Sequence, residues 1–149
     1  MPFETGPYLK LAVFCEKVLR ETDNVMSLIR IVDRVTITAQ GPDAPDAMPK
    51  TPYPINAVIT LVPGAGRGRH EIKIVREGPA GLTEDAPFKA SVQLEGEDRS
   101  ANIVIVMQLN LESEGLHWYH VYFDDVLLTK MPFRAMYNRL SAGATPMPR

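Results

Sequence analysis

Apolar side chains recur at every second position in one segment of this chain after another. The pattern is clearest over residues 115–138, Gly-Leu-His-Trp-Tyr-His-Val-Tyr-Phe-Asp-Asp-Val-Leu-Leu-Thr-Lys-Met-Pro-Phe-Arg-Ala-Met-Tyr-Asn. Side chains alternate along a strand, so His117, Tyr119, Val121 and Phe123 share one face. Trp118, His120, Tyr122 and Asp124 share the other. Asp124-Asp125 is a short turn of acceptor side chains, and Val126, Leu127 and Leu128 start the return into the same two layers. The stretch reads as the closing hairpin of an antiparallel β-sandwich.

The remaining segments repeat the theme. Residues 8–20 fit two periods: Leu11, Phe14, Cys15, Val18 and Leu19 make a helical stripe, whereas Leu9, Leu11, Val13 and Cys15 make one face of a strand. Strand is the reading adopted, because everything downstream is strand-like. Residues 25–39 predict a second long strand, interrupted at Asp33-Arg34 by a bulge or exposed bend. Residues 40–54 hold Pro42, Pro45, Pro49, Pro52 and Pro54, which remove backbone donors and predict a loop or extended crossover. Residues 55–62 alternate cleanly, and a glycine-rich turn at 63–68 leads to their partner at 70–76. Residues 77–87 form a loop and 88–94 a short strand. Residues 101–111 are the most apolar run: Ile103, Ile105, Met107, Leu109 and Leu111 line one face, and Val104 and Val106 are apolar on the other. Such a strand is either central and covered, or faces a partner. Pro132 makes the last strand an edge or puts a bulge in it.

The expected fold is therefore all-β, an antiparallel β-sandwich of about eight strands, immunoglobulin-like or C2-like. Residues 1–7 are expected as a loose lead-in, 8–138 as one domain and 139–149 as a disordered tail.

Three stretches carry a resemblance. They are Leu-Ala-Val-Phe-Cys-Glu-Lys-Val from Leu11, Leu-Ile-Arg-Ile-Val-Asp-Arg-Val from Leu28, and the closing motif from Glu114 to Phe133. In the last, a glycine opens the penultimate strand and an Asp-containing turn leads to a Leu-Leu-x-x-x-Pro return. The chain resembles a family of uncharacterised bacterial β-sandwich proteins known only as a domain of unknown function. The resemblance implies a fold, over residues 8–137, and no activity or catalytic residue.

Composition narrows the picture further. A chain of 149 residues suits one domain, and at this size a hydrophobic core suffices without metal or disulfide. A net charge of -2 gives no bulk attraction to nucleic acid or membrane. The single cysteine, Cys15, excludes an internal disulfide and fits a reducing, cytoplasmic setting. No apolar run approaches the roughly 20 residues that span a bilayer.

Candidate chemistry is sparse. His117 and His120 stand three apart and point to opposite faces of a strand, so they do not share an ion; no metal or other cofactor is expected. Asp124 and Asp125 read as turn formers rather than an acid–base pair, and Cys15 as packing. Gly64-Ala-Gly-Arg-Gly-Arg-His70 can converge backbone amides beside Arg67, Arg69 and His70, which makes it an anion-binding candidate. It is neither a P-loop nor a dinucleotide fingerprint. No catalytic residue is assigned. The expected function is a non-enzymatic protein-interaction or assembly module, with a protein partner or a second copy of itself, as in a homodimer. Its contact surfaces are Val104 and Val106 on one side and Trp118, His120 and Tyr122 on another. The alternative is a small anionic-ligand-binding protein or weak hydrolase using Arg67, Arg69 and His70.

Overall fold

A computed structural model describes residues 4–82 and 88–140, with the backbone alone described at Leu82. It contains ten strands: β1 (Tyr8–Arg20), β2 (Met26–Ile31), β3 (Arg34–Gln40), β4 (Thr51–Val62), β5 (Gly68–Gly78), β6 (Gly81–Leu82), β7 (Phe88–Leu94), β8 (Ala101–Leu111), β9 (Gly115–Phe123) and β10 (Val126–Leu140). One sheet has the order β2-β1-β4-β8. The other, which is curled, runs β3-β10-β9-β5-β7, and the two-residue β6 closes a hairpin on the far end of β5. No helix among the described residues is long and apolar enough to cross a membrane.

The all-β expectation holds, and residues 8–20 are a strand along their whole length. Residues 55–62 and 70–76 are not partners as expected: β4 lies in the first sheet between β1 and β8, and β5 in the second between β9 and β7, so the glycine-rich turn links the two layers. Two further parts of the expectation need correction. First, there are nine strands of six residues or more, plus β6, where about eight were expected. The extra strand arises because residues 25–39 are two strands in different sheets. Arg30 takes a left-handed φ of 56°. The Val32 N–H donates to the Phe14 carbonyl of the first sheet, and the carbonyl of the following residue, Asp33, accepts from the Arg134 N–H of the second. The chain changes layers at that one peptide. Second, the sandwich is not wholly antiparallel: β3 pairs in parallel with β10, from Arg134↔Arg34 to Leu140↔Gln40. A strand that enters the second sheet from the first needs no hairpin, so its direction is set by where it arrives.

The prolines fall where pairing is one-sided. Pro52 and Pro54 belong to β4 and pair with Asn110 and Gln108 of β8, but β1 reaches β4 only as far as Asn56. Pro132 lies opposite Trp118 in β10, before β3 joins at Arg134, and a bulge follows Leu127. A residue without an N–H costs no ladder bond where there is no neighbour to receive it. The same bulge leaves Val126 and Leu127 exposed instead of returning them to the layers. β10 continues through Arg139 and Leu140, past the expected boundary at 138; residues 141–149 of the expected tail lie outside the described residues, as do residues 1–3 and 83–87.

The core lies between the sheets. Alternation puts Ile55, Ala57, Ile59 and Leu61 of β4 and Ile103, Ile105, Met107, Leu109 and Leu111 of β8 inward, facing Tyr119, Val121 and Phe123 of β9. Phe14 joins the layers: its ring meets Tyr119 edge-on at 5.2 Å and Phe133 edge-on at 5.6 Å. Such contacts add to the area buried because the positive ring edge meets a negative face.

Candidate functional site

The closing hairpin turns through Asp124 and Asp125, with φ of 45° and 66°. Both central residues are left-handed, the type I′ geometry whose twist matches paired strands and which Asp tolerates. The turn also anchors the neighbouring strand. Asp124 Oδ1 accepts from the Glu71 N–H at 2.9 Å, and its Oδ2 meets His70 Nδ1 at 2.5 Å. His70 Nε2 donates to the Arg67 carbonyl at 2.7 Å. A carboxylate and a carbonyl both accept, so satisfying both calls for a proton on each ring nitrogen. The Asp124 hydrogen bond accordingly raises the His70 pKa above its ordinary value. Burial works to raise the Asp124 carboxyl, but the Glu71 N–H and His70 outweigh it and hold the pKa low.

Arg67, Arg69 and His70 therefore do not converge. The Arg67 Nη1 donates to the Gly64 and Gly66 carbonyls, at 3.1 and 3.0 Å, and its guanidinium fills the space where a Cβ on Gly96 would lie. Arg69 is exposed on the outer row of β5, next to Glu71. His70 turns the other way and stacks on Phe123, ring centroids 4.7 Å apart.

His117 and His120 lie on opposite faces of β9. His117 is 1% exposed; its Nε2 donates to the Ser113 carbonyl at 3.0 Å, and burial lowers its pKa. Its Nδ1 has no hydrogen-bond partner among the described residues. His120, on the outer face, pairs through Nε2 with Glu77 at 2.6 Å and stacks beside Tyr122. Lys73 sits over the Tyr122 ring at 5.2 Å and reaches Asp125 at 2.8 Å. His120 and Tyr122 on this face are thus tied to charged neighbours on β5. Among the described residues, no group of three or more His, Cys, Asp or Glu side chains is placed to hold a metal.

Val104 and Val106 project from the outer face of the other sheet, on the opposite side of the sandwich. The two expected contact surfaces are therefore separate. Ile31, Cys15, Asn56 and Val106 form one row across the first sheet, and Val13, Val58 and Val104 the next. Val58 and Cys15 are buried within these rows, and burial pushes the Cys15 thiol pKa up. Ile31 is 58% exposed and Val106 81%, but buried Cys15 and the polar Asn56 lie between them, so the exposed apolar patch on β8 is Val106 with Val104 beside it.

Arg76 escaped the sequence reading. It continues the inward row of Ile72 and Ile74, donates to the Asn110 carbonyl at 2.5 Å, and lines a cavity of about 290 Å³ between the sheets. Period-two counting places it on the same row as His70, Ile72 and Ile74, a cation at an inward position. No family model matches this chain, and no curated protein matches it. The resemblance drawn from the three stretches at Leu11–Val18, Leu28–Val35 and Glu114–Phe133 therefore stands on those residues alone.

Proposed function

We propose that this protein is a protein-interaction and assembly module that works through contact, with self-association as its first form. One observation carries the reading: β8 pairs with β4 alone among the described strands, and its outward side chains Val104 and Val106 stand in solvent with no charged residue anywhere in the strand. Burying exposed apolar side chains against a second surface is favourable by roughly 25 cal/mol per Å², and exposed valines beside a sheet edge that no described strand pairs with gain most from a protein partner. The reading takes the sandwich to be of the immunoglobulin-like or C2-like type and the setting to be the cytoplasm, where Cys15 stays a thiol.

Sedimentation velocity over a wide concentration range tests this. The wild-type chain is expected to shift from monomer to a larger species, and Val104→Asp with Val106→Asp to remain monomeric with unchanged circular dichroism. A wild-type protein that stays monomeric at every concentration overturns the reading.

A further inference from the structure

Four strands longer than two residues end the sheets: β2, β3, β7 and β8. Open edges invite pairing with another chain, and proteins ordinarily blunt them with charge, proline, bulges or brevity. β2 has six residues, among them Arg30 in its left-handed conformation, which bends the strand end. β3 and β7 have seven residues each and carry Arg34 and Lys89. Strands open on one side for part of their length are guarded too. Pro52 and Pro54 protect the start of β4, and Lys130, Pro132 and a bulge protect β10. β8 departs from the rule. It is 11 residues long, has no charge and no proline, and pairs with β4 without a register break.

The direction of its free backbone groups follows from its partner. Antiparallel pairs alternate between those that bond each other and those that point away. Pro52 and Pro54 have no N–H, so their pairs with Asn110 and Gln108 are of the second kind. The same parity then covers Val106, Val104 and Asn102. Two contacts agree. The Asn110 carbonyl accepts from Arg76, off the β4 side, and the Thr60 hydroxyl donates to Asn102 Oδ1 at 2.8 Å, as close non-bonded pairs allow. The outward N–H and C=O groups of β8 therefore belong to Asn102, Val104, Val106 and Gln108, with Asn110 already engaged through its carbonyl.

Resting on the assembly reading above, the geometry points to a second copy of this chain as the occupant, docked by antiparallel β8–β8 pairing about a two-fold axis at Ile105. This register sets Val104 opposite Val106 of the second copy, twice over, and Asn102 opposite Gln108. It makes about eight backbone hydrogen bonds and leaves the Asn110–Arg76 contact intact. Four valines meet on the outer face, and two pairs of amide side chains can exchange donors and acceptors at the ends. A two-fold axis brings each side chain near its own kind, so a charged strand would repel itself; this strand has no charge to repel. The two four-stranded sheets merge into one continuous sheet, with the exposed valines of both copies adjoining at the seam.

Residue-resolved amide hydrogen exchange, run below and above the concentration at which the wild-type chain associates, tests the geometry, alongside sedimentation of Val106→Pro. Proline at 106 removes an outward N–H and no β4 bond, so it spares the fold as Pro52 and Pro54 do. On association, exchange at Val104, Val106 and Gln108 is expected to slow by about tenfold or more, with Asn110 unchanged. Val106→Pro is expected to weaken association by about thirtyfold or more, from two lost backbone bonds per dimer. If the chain associates while these amides stay fast, or Val106→Pro associates as well as wild type, edge pairing is overturned and the assembly reading survives. Monomer throughout overturns both. Should Val106→Pro fail to fold, the wild-type exchange pattern decides alone.

Discussion

Replacing Asp124 by Asn isolates one charge. Asn accepts from the Glu71 N–H as Asp124 Oδ1 does and tolerates the left-handed φ of 45°, so the turn survives. What is lost is the charge facing His70. A charge-assisted hydrogen bond contributes about 1.5–3 kcal/mol when sheltered. Here the Asp124 side chain is 47% exposed and that of His70 24%, so solvent screening cuts the value to about 1 kcal/mol. The pH dependence has a definite sign. The His70 pKa is raised on folding, so its contribution is complete below the unfolded value of about 6.5 and is lost as pH rises through the folded value. The Asp124 pKa is lowered, so its contribution is present above about pH 4 and is lost as pH falls through the folded value. The pair is thus at full strength near pH 5. Urea unfolding of wild type and Asp124→Asn should differ by about 1 kcal/mol at about pH 5 and by a few tenths at about pH 9. A difference that is equal at the two values, or larger at the alkaline one, would refute the argument that His70 is held as an imidazolium.

Two further outcomes follow from the core. Phe133→Ala removes a fully buried ring that packs edge-on against Phe14, and should cost about 3–5 kcal/mol in denaturant unfolding; a loss below about 2 would mean the layers close over the gap. His117 has the opposite pH sign to His70: its pKa is lowered by burial, so the unfolded chain takes up the proton first and stability is lost as pH falls below about 6.5. His117→Leu should flatten that acid limb, and an unchanged slope between about pH 5 and 7 would assign the limb elsewhere.

Much of this fold was legible in the chain because alternation is local. Each apolar row of β1, β4, β8 and β9 can be counted without knowing its neighbours, and Asp124-Asp125 between two such rows announces a tight hairpin. Pro132 marks a stretch of β10 paired only with β9, although the strand as a whole is interior, between β3 and β9, and the opposite facing of His117 and His120 followed from their spacing alone. Two-residue periodicity, however, says nothing about which strand lies beside which. Residues 25–39 read as one strand interrupted at Asp33-Arg34, and the interruption falls where β2 gives way to β3; that it is a change of layer rather than a bulge rests on Val32 bonding Phe14 while Asp33 bonds Arg134, contacts between distant parts of the chain. The parallel β3–β10 pair, the inward turn of Arg76 and the separation of Arg67 from His70 are non-local in the same sense. So is the free edge of β8: the residues supply an uncharged strand, and only the tertiary arrangement, by pairing it with β4 on one side and with no described strand on the other, leaves its outward backbone groups unpaired by a ladder.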